Sequence, residues 1–142
     1  IQALGAKVFP PGTIIFPKIG MATYHNKYRI LRKWASFDNN VGGAVPNRVE
    51  SEFLFYFFLG RVDLKKLTGR TTAPSIRKST LKNLLIPLPP LEEQQKIAEI
   101  LSAIDERLEI ERTEKATLER IKREMMNLLL TGKVRVKCNE NR

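Results

Sequence analysis

The side chains that could do chemistry in this chain are mostly cations, amides and hydroxyls, which favour binding over catalysis. Lys and Arg bind phosphate oxygens, and the geometry of Arg, Asn and Lys side chains suits base edges. Such residues gather in residues 18–27 and 67–78, and a polar turn is predicted at residues 38–40. The candidates for contact with nucleic acid are Lys18, Tyr24, His25, Asn26, Lys27, Asn39, Asn40, Arg70, Thr71, Thr72, Ser75, Arg77 and Lys78.

The stretch 67–78 also has a plainer interpretation, because polar surface loops of this composition are about as common as DNA-binding ones. Spacing does not say which of its side chains reach bases and which reach phosphates. We predict that Lys18, Arg70, Arg77 and Lys78 supply phosphate or base contacts, since they lie in the polar loops of a basic segment.

Catalytic and cofactor chemistry find no support in the residue types. The chain has one cysteine, Cys138, and one histidine, His25, which excludes an internal disulfide and a Cys/His metal site within one chain. No motif places a nucleophile or a carboxylate beside His25, so a plain surface role is favoured for it. The eight glycines form neither a dinucleotide fingerprint nor a phosphate loop. We therefore predict no catalytic residue, no metal and no cofactor.

Positive charge is concentrated in the first part of the chain. The whole chain has a net charge of +10. Residues 1–90 contain 14 Lys or Arg and four acids, whereas residues 91–131 contain seven bases and ten acids. A basic surface that only maintains solubility is the plainer alternative. The uneven distribution favours an anionic partner, and nucleic acid first.

One long helix from Leu91 to about residue 131 is the most secure structural prediction. Residues 91–131 contain no proline or glycine and are rich in good helix formers. Two prolines precede this segment, two acids occupy its first turn, and Gly132 can cap its end.

An apolar stripe runs along this helix at spacings of three and four residues. The predicted helix-pairing residues are Ile97, Leu101, Ile104, Leu108, Leu118, Ile121, Met125 and Leu128. Glu111 and Lys115 occupy the seam between them, where polar residues fix register and orientation. A helix of about 60 Å is too long to bury its stripe on a small domain, so we expect it to pair as a coiled coil. A fold-back or a hairpin is the alternative, although no turn residue offers a break.

The basic part of the chain is predicted to contain short strands and one helix. Thr13–Phe16 has the composition of a strand, and Pro17 suggests an edge or a strand end. Further strands are expected within residues 27–34 and 41–45, separated by polar loops. Ser51–Leu59 is a dense aromatic block, and the acids before it and the glycine after it favour a buried helix.

These patterns predict an α+β fold in three parts. Residues 1–90 form a small mixed α/β domain, residues 91–131 a long helix, and residues 132–142 a basic tail. The longest apolar run, residues 53–59, is far shorter than the about 20 residues that a membrane-spanning helix needs. With no signal-peptide pattern at Ile1, we expect a cytoplasmic protein without membrane contact. Since Ile1 is not a methionine, we expect a processed product or a fragment.

The segment KNLLIPLPPLEEQQKIAEIL, residues 82–101, resembles the junction between a target-recognition domain and a conserved helix in specificity subunits of type I restriction-modification enzymes. PPGTIIFPKIG, SEFLFYFFLG and LTGRTTAPSIRKSTL are similar, in order, to three further segments of that family, and LLLTGKVRVK resembles its usual ending. The resemblance covers most of the chain from Pro10 onward. It departs from the family in carrying at most one recognition domain, whose front is missing.

This resemblance implies a prokaryotic, non-catalytic specificity subunit whose target-recognition domain reads one half of a bipartite double-stranded DNA target. A separate DNA adenine methyltransferase subunit would modify that DNA, and a restriction subunit would cleave it. The conserved helices of the family pair antiparallel as a spacer and also dock the methyltransferase. A half-length chain is therefore expected to form a homodimer through its C-terminal helix.

Three classes of function remain open from the sequence. The favoured one is a sequence-specific reader of duplex DNA. The second is a non-DNA-binding coiled-coil assembly protein, or a truncated remnant in which only the helix is functional. The third is an enzyme, such as a nuclease or methyltransferase, which the residues favour least.

Overall fold

The structure, a computed structural model, describes residues 7–68 and 74–137. Its strands are β1 (Ile14–Pro17), β2 (Arg29–Ile30) and β3 (Val41–Ala44), and a 3-10 turn spans Met21–His25. Its helices are α1 (Ser51–Arg61), α2 (Leu64–Leu67), α3 (Lys78–Lys82) and α4 (Leu91–Leu130). Because the strands precede the helices instead of alternating with them, the predicted α+β class is confirmed.

The chain divides after Leu101 into two units, and each is described by itself. We call the described residues up to Leu101 the head, and the described residues from Ser102 the distal segment. The first turns of α4 belong to the head, in which Gln94 and Ala98 are buried. The head therefore includes both the sheet and the beginning of the long helix.

β1 is the central strand of the sheet, in the order β2-β1-β3, and it pairs antiparallel with both neighbours. Ile14 and Phe16 are buried in the core, whereas Ile15 lies on the opposite face. Pro17 is the last residue of this central strand, so the alternative of an edge strand is wrong and that of a strand end is right. The missing N–H costs little there, because Lys18 continues the ladder with an N–H bond of 2.7 Å to the turn before β3.

Phe16 joins the sheet to α1. Its ring centroid lies 5.8 Å from that of Phe58 and 6.3 Å from that of Tyr28. A Cβ atom on Gly42 would lie 2.5 Å from Cε2 of Phe16. The backbone of β3 can therefore approach the ring only because residue 42 has no side chain.

The aromatic block forms α1, which confirms the interpretation as a buried helix. The carboxylate of Glu50 accepts a backbone N–H from the first turn and caps the helix. Phe58 faces the core. The helix continues through Gly60 to Arg61 and so ends slightly beyond the predicted stretch.

α4 begins at the predicted residue and ends at Leu130. Gly132 has a φ of +70°, and its N–H bonds to the carbonyl of Leu129 at 3.2 Å. This is the expected geometry of a glycine cap. Charged residues are frequent along α4, and within the described parts of the chain no helix combines the length and the hydropathy needed to cross a membrane.

Candidate nucleic-acid interface

The outer face of the sheet carries an open cleft of about 430 Å³. Its apolar floor is formed mainly by Ile15 and Pro17 of β1 together with Ile19. Its polar rim consists of His25, Lys27, Arg29 and Asn40. Three of these four rim residues belong to the set proposed from the sequence, and the tertiary structure brings them together.

Strand alternation explains why Lys27 and Arg29 both reach the rim. Side chains two residues apart lie on the same side of an extended segment. Tyr28, between them, points into the core, where it is 1% exposed and its hydroxyl donates to the carbonyl of Val62 at 2.6 Å. Burial, and then the negative charge of Asp63, raise the pKa of Tyr28 well above its ordinary range. The neutral, bonded tyrosine holds this segment in register.

Two turns position the other rim residues. The 3-10 turn that ends at His25 follows Gly20, whose φ of +76° favours glycine. The turn that ends at Asn40 is closed by the carboxylate of Asp38. It accepts the backbone N–H of Asn40 at 2.9 Å and its side-chain amide at 3.1 Å. Both turns are therefore held by local hydrogen bonds.

The electrostatics of the cleft favour an anion. Within the described residues, its lining contains two cations, one imidazole and one amide, but no carboxylate. Arg29 is exposed, and its Nη1 donates to the carbonyl of Tyr28 at 2.8 Å, which restricts the guanidinium. A concave surface with such a rim concentrates positive potential. Its cations can bind phosphate, and its imidazole and amide can bond to base edges.

Arg29 is the rim residue that the sequence reasoning missed. The signal was present in KYRILRKW, because Lys27 and Arg29 are two residues apart in a segment with partial alternation. Arg29 was not among the predicted contacts, because those were chosen from polar loops and Arg29 lies in a strand.

Asn26 has a structural role in the head. Its Oδ1 accepts the N–H of Leu64 at 2.8 Å, and its Nδ2 donates to the carboxylate of Asp63 at 3.3 Å. Its φ of 47° is in the left-handed region that asparagine tolerates. Asn26 therefore ties the 3-10 turn to α2, and a contact between its amide and DNA remains a prediction.

Other candidates are dispersed around the cleft. Nζ of Lys65 lies 5.3 Å from the ring centroid of Tyr24 and covers one face of that ring. Lys18 is half-buried, and Asn39 is exposed on the turn beside Asn40. The candidates Tyr24, Lys18 and Asn39 do not line the cleft itself.

The second polar stretch is only partly described. Arg70, Thr71 and Thr72 lie outside the described residues. Ser75 forms an isolated bridge with Ile19, which places it beside the cleft, and Arg77 is exposed. Lys78 lines a different groove, which is apolar and has a volume of about 380 Å³. The predicted contacts of these residues with DNA remain predictions.

We searched residues 7–68 and 74–137 for side chains that could bind a metal ion together. These residues contain no cluster of three or more His, Cys, Asp or Glu side chains that could hold a metal ion. Their buried side-chain nitrogen and oxygen atoms all have hydrogen-bond partners.

The predicted helix-pairing residues fall into two sets. Ile97 and Leu101 are half-buried within the head, and Leu128 is half-buried in the distal segment. The others are between 44% and 58% exposed, and they are Ile104, Leu108, Leu118, Ile121 and Met125. On the seam, Glu111 bonds to Arg107 at 2.9 Å and Lys115 lies 3.9 Å from Glu119. The distal segment thus presents apolar side chains to solvent.

Residues 3–120 match the family model of the Type I restriction modification DNA specificity domain. Since this match covers most of the chain, the chain belongs to that family.

Two similar proteins come from Methanocaldococcus jannaschii. The Type I restriction enzyme MjaVIII specificity subunit is 47% identical over 93 residues, which are 63% of this chain and 22% of the relative. The Type I restriction enzyme MjaIX specificity subunit is 32% identical over 129 residues, which are 88% of this chain and 29% of the relative. This chain therefore spans less than a third of the length of either relative.

A solved structure supports the same fold. It comes from work on complex assembly and conformational transition of the type I R-M system, and it superimposes with a TM-score of 0.63 at 23% identity. The match covers 86% of this chain and 31% of the solved chain.

Replacing Asn26 by alanine is expected to lower the free energy of unfolding by about 1–3 kcal/mol, because the N–H of Leu64 loses its partner. Urea denaturation followed by circular dichroism measures this. The matched control is Asn39→Ala on the exposed turn, with an expected change within about 0.5 kcal/mol. Equal stability of the two variants would contradict the structural role of Asn26.

Proposed function

We propose that this chain recognises double-stranded DNA as a specificity subunit, or part of one, in a type I restriction-modification system. In this proposal residues 1–90 read one half of a bipartite target, residues 91–131 form the pairing helix, and residues 132–142 form a basic tail. The cleft rimmed by Lys27, Arg29, His25 and Asn40 is the observation that carries the proposal. Family membership adds independent support.

The rim residues divide the work of recognition between them. Lys27 and Arg29 neutralise phosphates, which positions the head on the duplex and makes binding depend on salt. His25 and Asn40 offer hydrogen bonds to base edges, from turns that the head holds in place. The chain itself has no catalytic residue and no cofactor in this proposal, and the chemistry belongs to its partners.

The double variant Lys27→Ala/Arg29→Ala is expected to weaken DNA binding about tenfold or more and to reduce the dependence on log salt by about two units. Fluorescence anisotropy with a labelled duplex at several salt concentrations measures both quantities. The control is Arg61→Ala/Lys82→Ala, which removes the same charge from exposed positions that do not line the cleft.

Equal losses of DNA affinity in both double variants would mean that binding depends on net charge and not on the cleft. If the unmodified chain left DNA unbound at low salt, the second class of function, a coiled-coil assembly protein, would be favoured.

We propose that the chain forms a homodimer through α4. The exposed stripe of the distal segment supports pairing, since apolar side chains at this spacing gain stability by packing against another helix. A second copy of the chain supplies an identical stripe.

The positions of the stripe favour an antiparallel pair. Leu108 and Leu118 lie five residues on either side of Thr113, and Glu111 and Lys115 lie two residues on either side. Antiparallel copies centred on Thr113 would therefore place leucine against leucine. They would also place each Glu111 against a Lys115 of the other copy.

The charges along the chain favour the same orientation. Residues 89–109 contain six acids and two bases, whereas residues 117–137, equally far beyond Thr113, contain two acids and six bases. Antiparallel pairing brings the acidic part of one copy to the basic part of the other. A parallel pair in register would bring like charges together along both parts.

Charge reversal on the seam tests this orientation. Glu111→Lys and Lys115→Glu are each expected to weaken the dimer about tenfold, because each creates two like-charge contacts. The double variant Glu111→Lys/Lys115→Glu is expected to recover most of the affinity. Sedimentation equilibrium measures it, with circular dichroism as a control for helix content. A parallel dimer would be insensitive to either single reversal, and a chain monomeric at all concentrations would overturn the pairing.

We further propose that the chain binds a DNA adenine methyltransferase subunit and a restriction subunit. The family assignment supports this, and the relatives are named as specificity subunits of restriction enzymes.

Co-expression with the methyltransferase subunit of the same system is expected to produce methylated adenines at one bipartite motif, mapped by sequencing host DNA. For a homodimer the motif should be symmetric. Lys27→Ala/Arg29→Ala should lower the methylated fraction, whereas Arg61→Ala/Lys82→Ala should not. Methylation without the chain at the same sites would contradict its role in specificity.

A further inference from the structure

A second groove of the head lies beside β3, on the face of the sheet that packs against α1, and the proposed recognition of DNA does not explain it. It has a volume of about 380 Å³, and its floor is formed by Phe16, Leu54 and Phe58 of the core. Val45 and Leu88 also line it and are 49% and 61% exposed. Apolar side chains that remain this exposed beside an open groove gain stability when a ligand covers them.

One wall of the groove is the edge of the sheet. β3 lines the groove through Gly43 and Ala44, and it is a terminal strand of the sheet. In an antiparallel ladder, alternate residues direct their backbone N–H and C=O groups toward the paired strand. The N–H of Lys18 bonds to the carbonyl of Asn40 across this ladder. Residues 42 and 44 therefore face β1, whereas the N–H and carbonyl of Gly43 point away from it, to a side where no strand of the described residues pairs with β3.

Packing on the opposite face of the sheet holds this edge in place. A Cβ atom on Gly43 would lie 2.7 Å from Cζ of Phe37, whose ring stacks on that of Phe9 with the centroids 4.2 Å apart. Gly43 is nevertheless exposed. An exposed and unpaired edge is a template for an additional strand, which bonds to it through backbone groups.

The other wall of the groove is positively charged. Lys78 and Lys82 lie one turn apart on α3, are both exposed and both line the groove. Among the described residues of the lining, Asn47 is the other polar side chain, and there is no carboxylate. Two cations without an acid favour a ligand that carries carboxylates. The basic segment 133–137 of a second copy alternates in the manner of a strand but has the wrong charge for this groove.

We infer that the groove binds an extended, acidic peptide segment of a partner protein, which adds to β3 as a fourth strand. Alternate side chains of such a segment point to the same face, so that one apolar set enters the groove while backbone groups bond to Gly43. Carboxylates of the segment complement the charges of Lys78 and Lys82. This inference goes beyond the proposed recognition of DNA and does not depend on it.

The test uses the full chain and fluorescently labelled peptides of eight residues with blocked ends, whose binding is measured by anisotropy. A peptide of alternating valine and glutamate is expected to bind about tenfold or more tightly than peptides of alternating valine and lysine or alternating serine and glutamate. Lys78→Glu/Lys82→Glu is expected to reverse the preference between glutamate and lysine peptides. The matched control Lys65→Glu/Lys66→Glu changes two exposed lysines outside the groove and should keep the original preference.

N-methylation of the peptide tests the strand pairing itself. In an added strand, every second amide of the peptide faces β3. Methylation of one alternate set of amides in the valine–glutamate peptide is expected to abolish binding, whereas methylation of the other set should leave the affinity nearly unchanged. The amide of Gly43 is expected to exchange its hydrogen more slowly in the complex, as measured by NMR.

Several results would overturn the inference. They are no binding of the valine–glutamate peptide at about 1 mM, equal affinity for the valine–lysine peptide, and equal effects of the two methylated sets. Displacement of the peptide by an equimolar DNA duplex would assign the two lysines to DNA instead. Protection of the Gly43 amide that rises with protein concentration in the absence of peptide would assign the groove to a second copy. These measurements use the unmodified chain, so they decide the question even if the lysine variants fail to fold.

Discussion

The arrangement of the head depends on the packing of Phe16 between β3 and α1. The ring meets Phe58 on one side, and on the other it lies so close to Gly42 that a side chain at that position would collide with it. This contact commits one face of the sheet to the core. The opposite face is therefore left to display Lys27, Arg29 and the turns that carry His25 and Asn40.

Polar groups inside the head are used to join elements. Tyr28 bonds to the carbonyl of Val62, Asn26 joins the 3-10 turn to α2, and Gln94 joins α1 to α4. Each of these side chains satisfies backbone groups that burial would otherwise leave without partners, which makes the junctions specific as well as stable. Such a head suits a protein that binds in a defined orientation.

The long helix has the opposite character in its distal segment. Its backbone is satisfied internally, but its apolar side chains are exposed and its charges run from acidic to basic along the chain. Both features make sense if a second copy lies against it in the reverse direction.

Sequence alone determined the features that depend on local interactions. The start of α4, its end to within one residue, its glycine cap, the helix within the aromatic block, the α+β class and the family were predicted correctly. Helix propensity, capping residues and short motifs act over only a few residues. The uneven distribution of charge between residues 1–90 and 91–131 could also be read from the sequence, because net charge is a sum over residue types.

Tertiary structure decided which of the predicted polar residues meet. The sequence could not distinguish Asn26, whose amide is bonded to α2, from Asn40, which lines the cleft, since both are asparagines in polar turns. It also put Lys78 with the loop residues and missed Arg29, and it left open that Pro17 ends a central strand. These outcomes depend on contacts between residues far apart in the chain. Composition and periodicity do not predict such contacts, because packing of the core decides which face of each strand points inward.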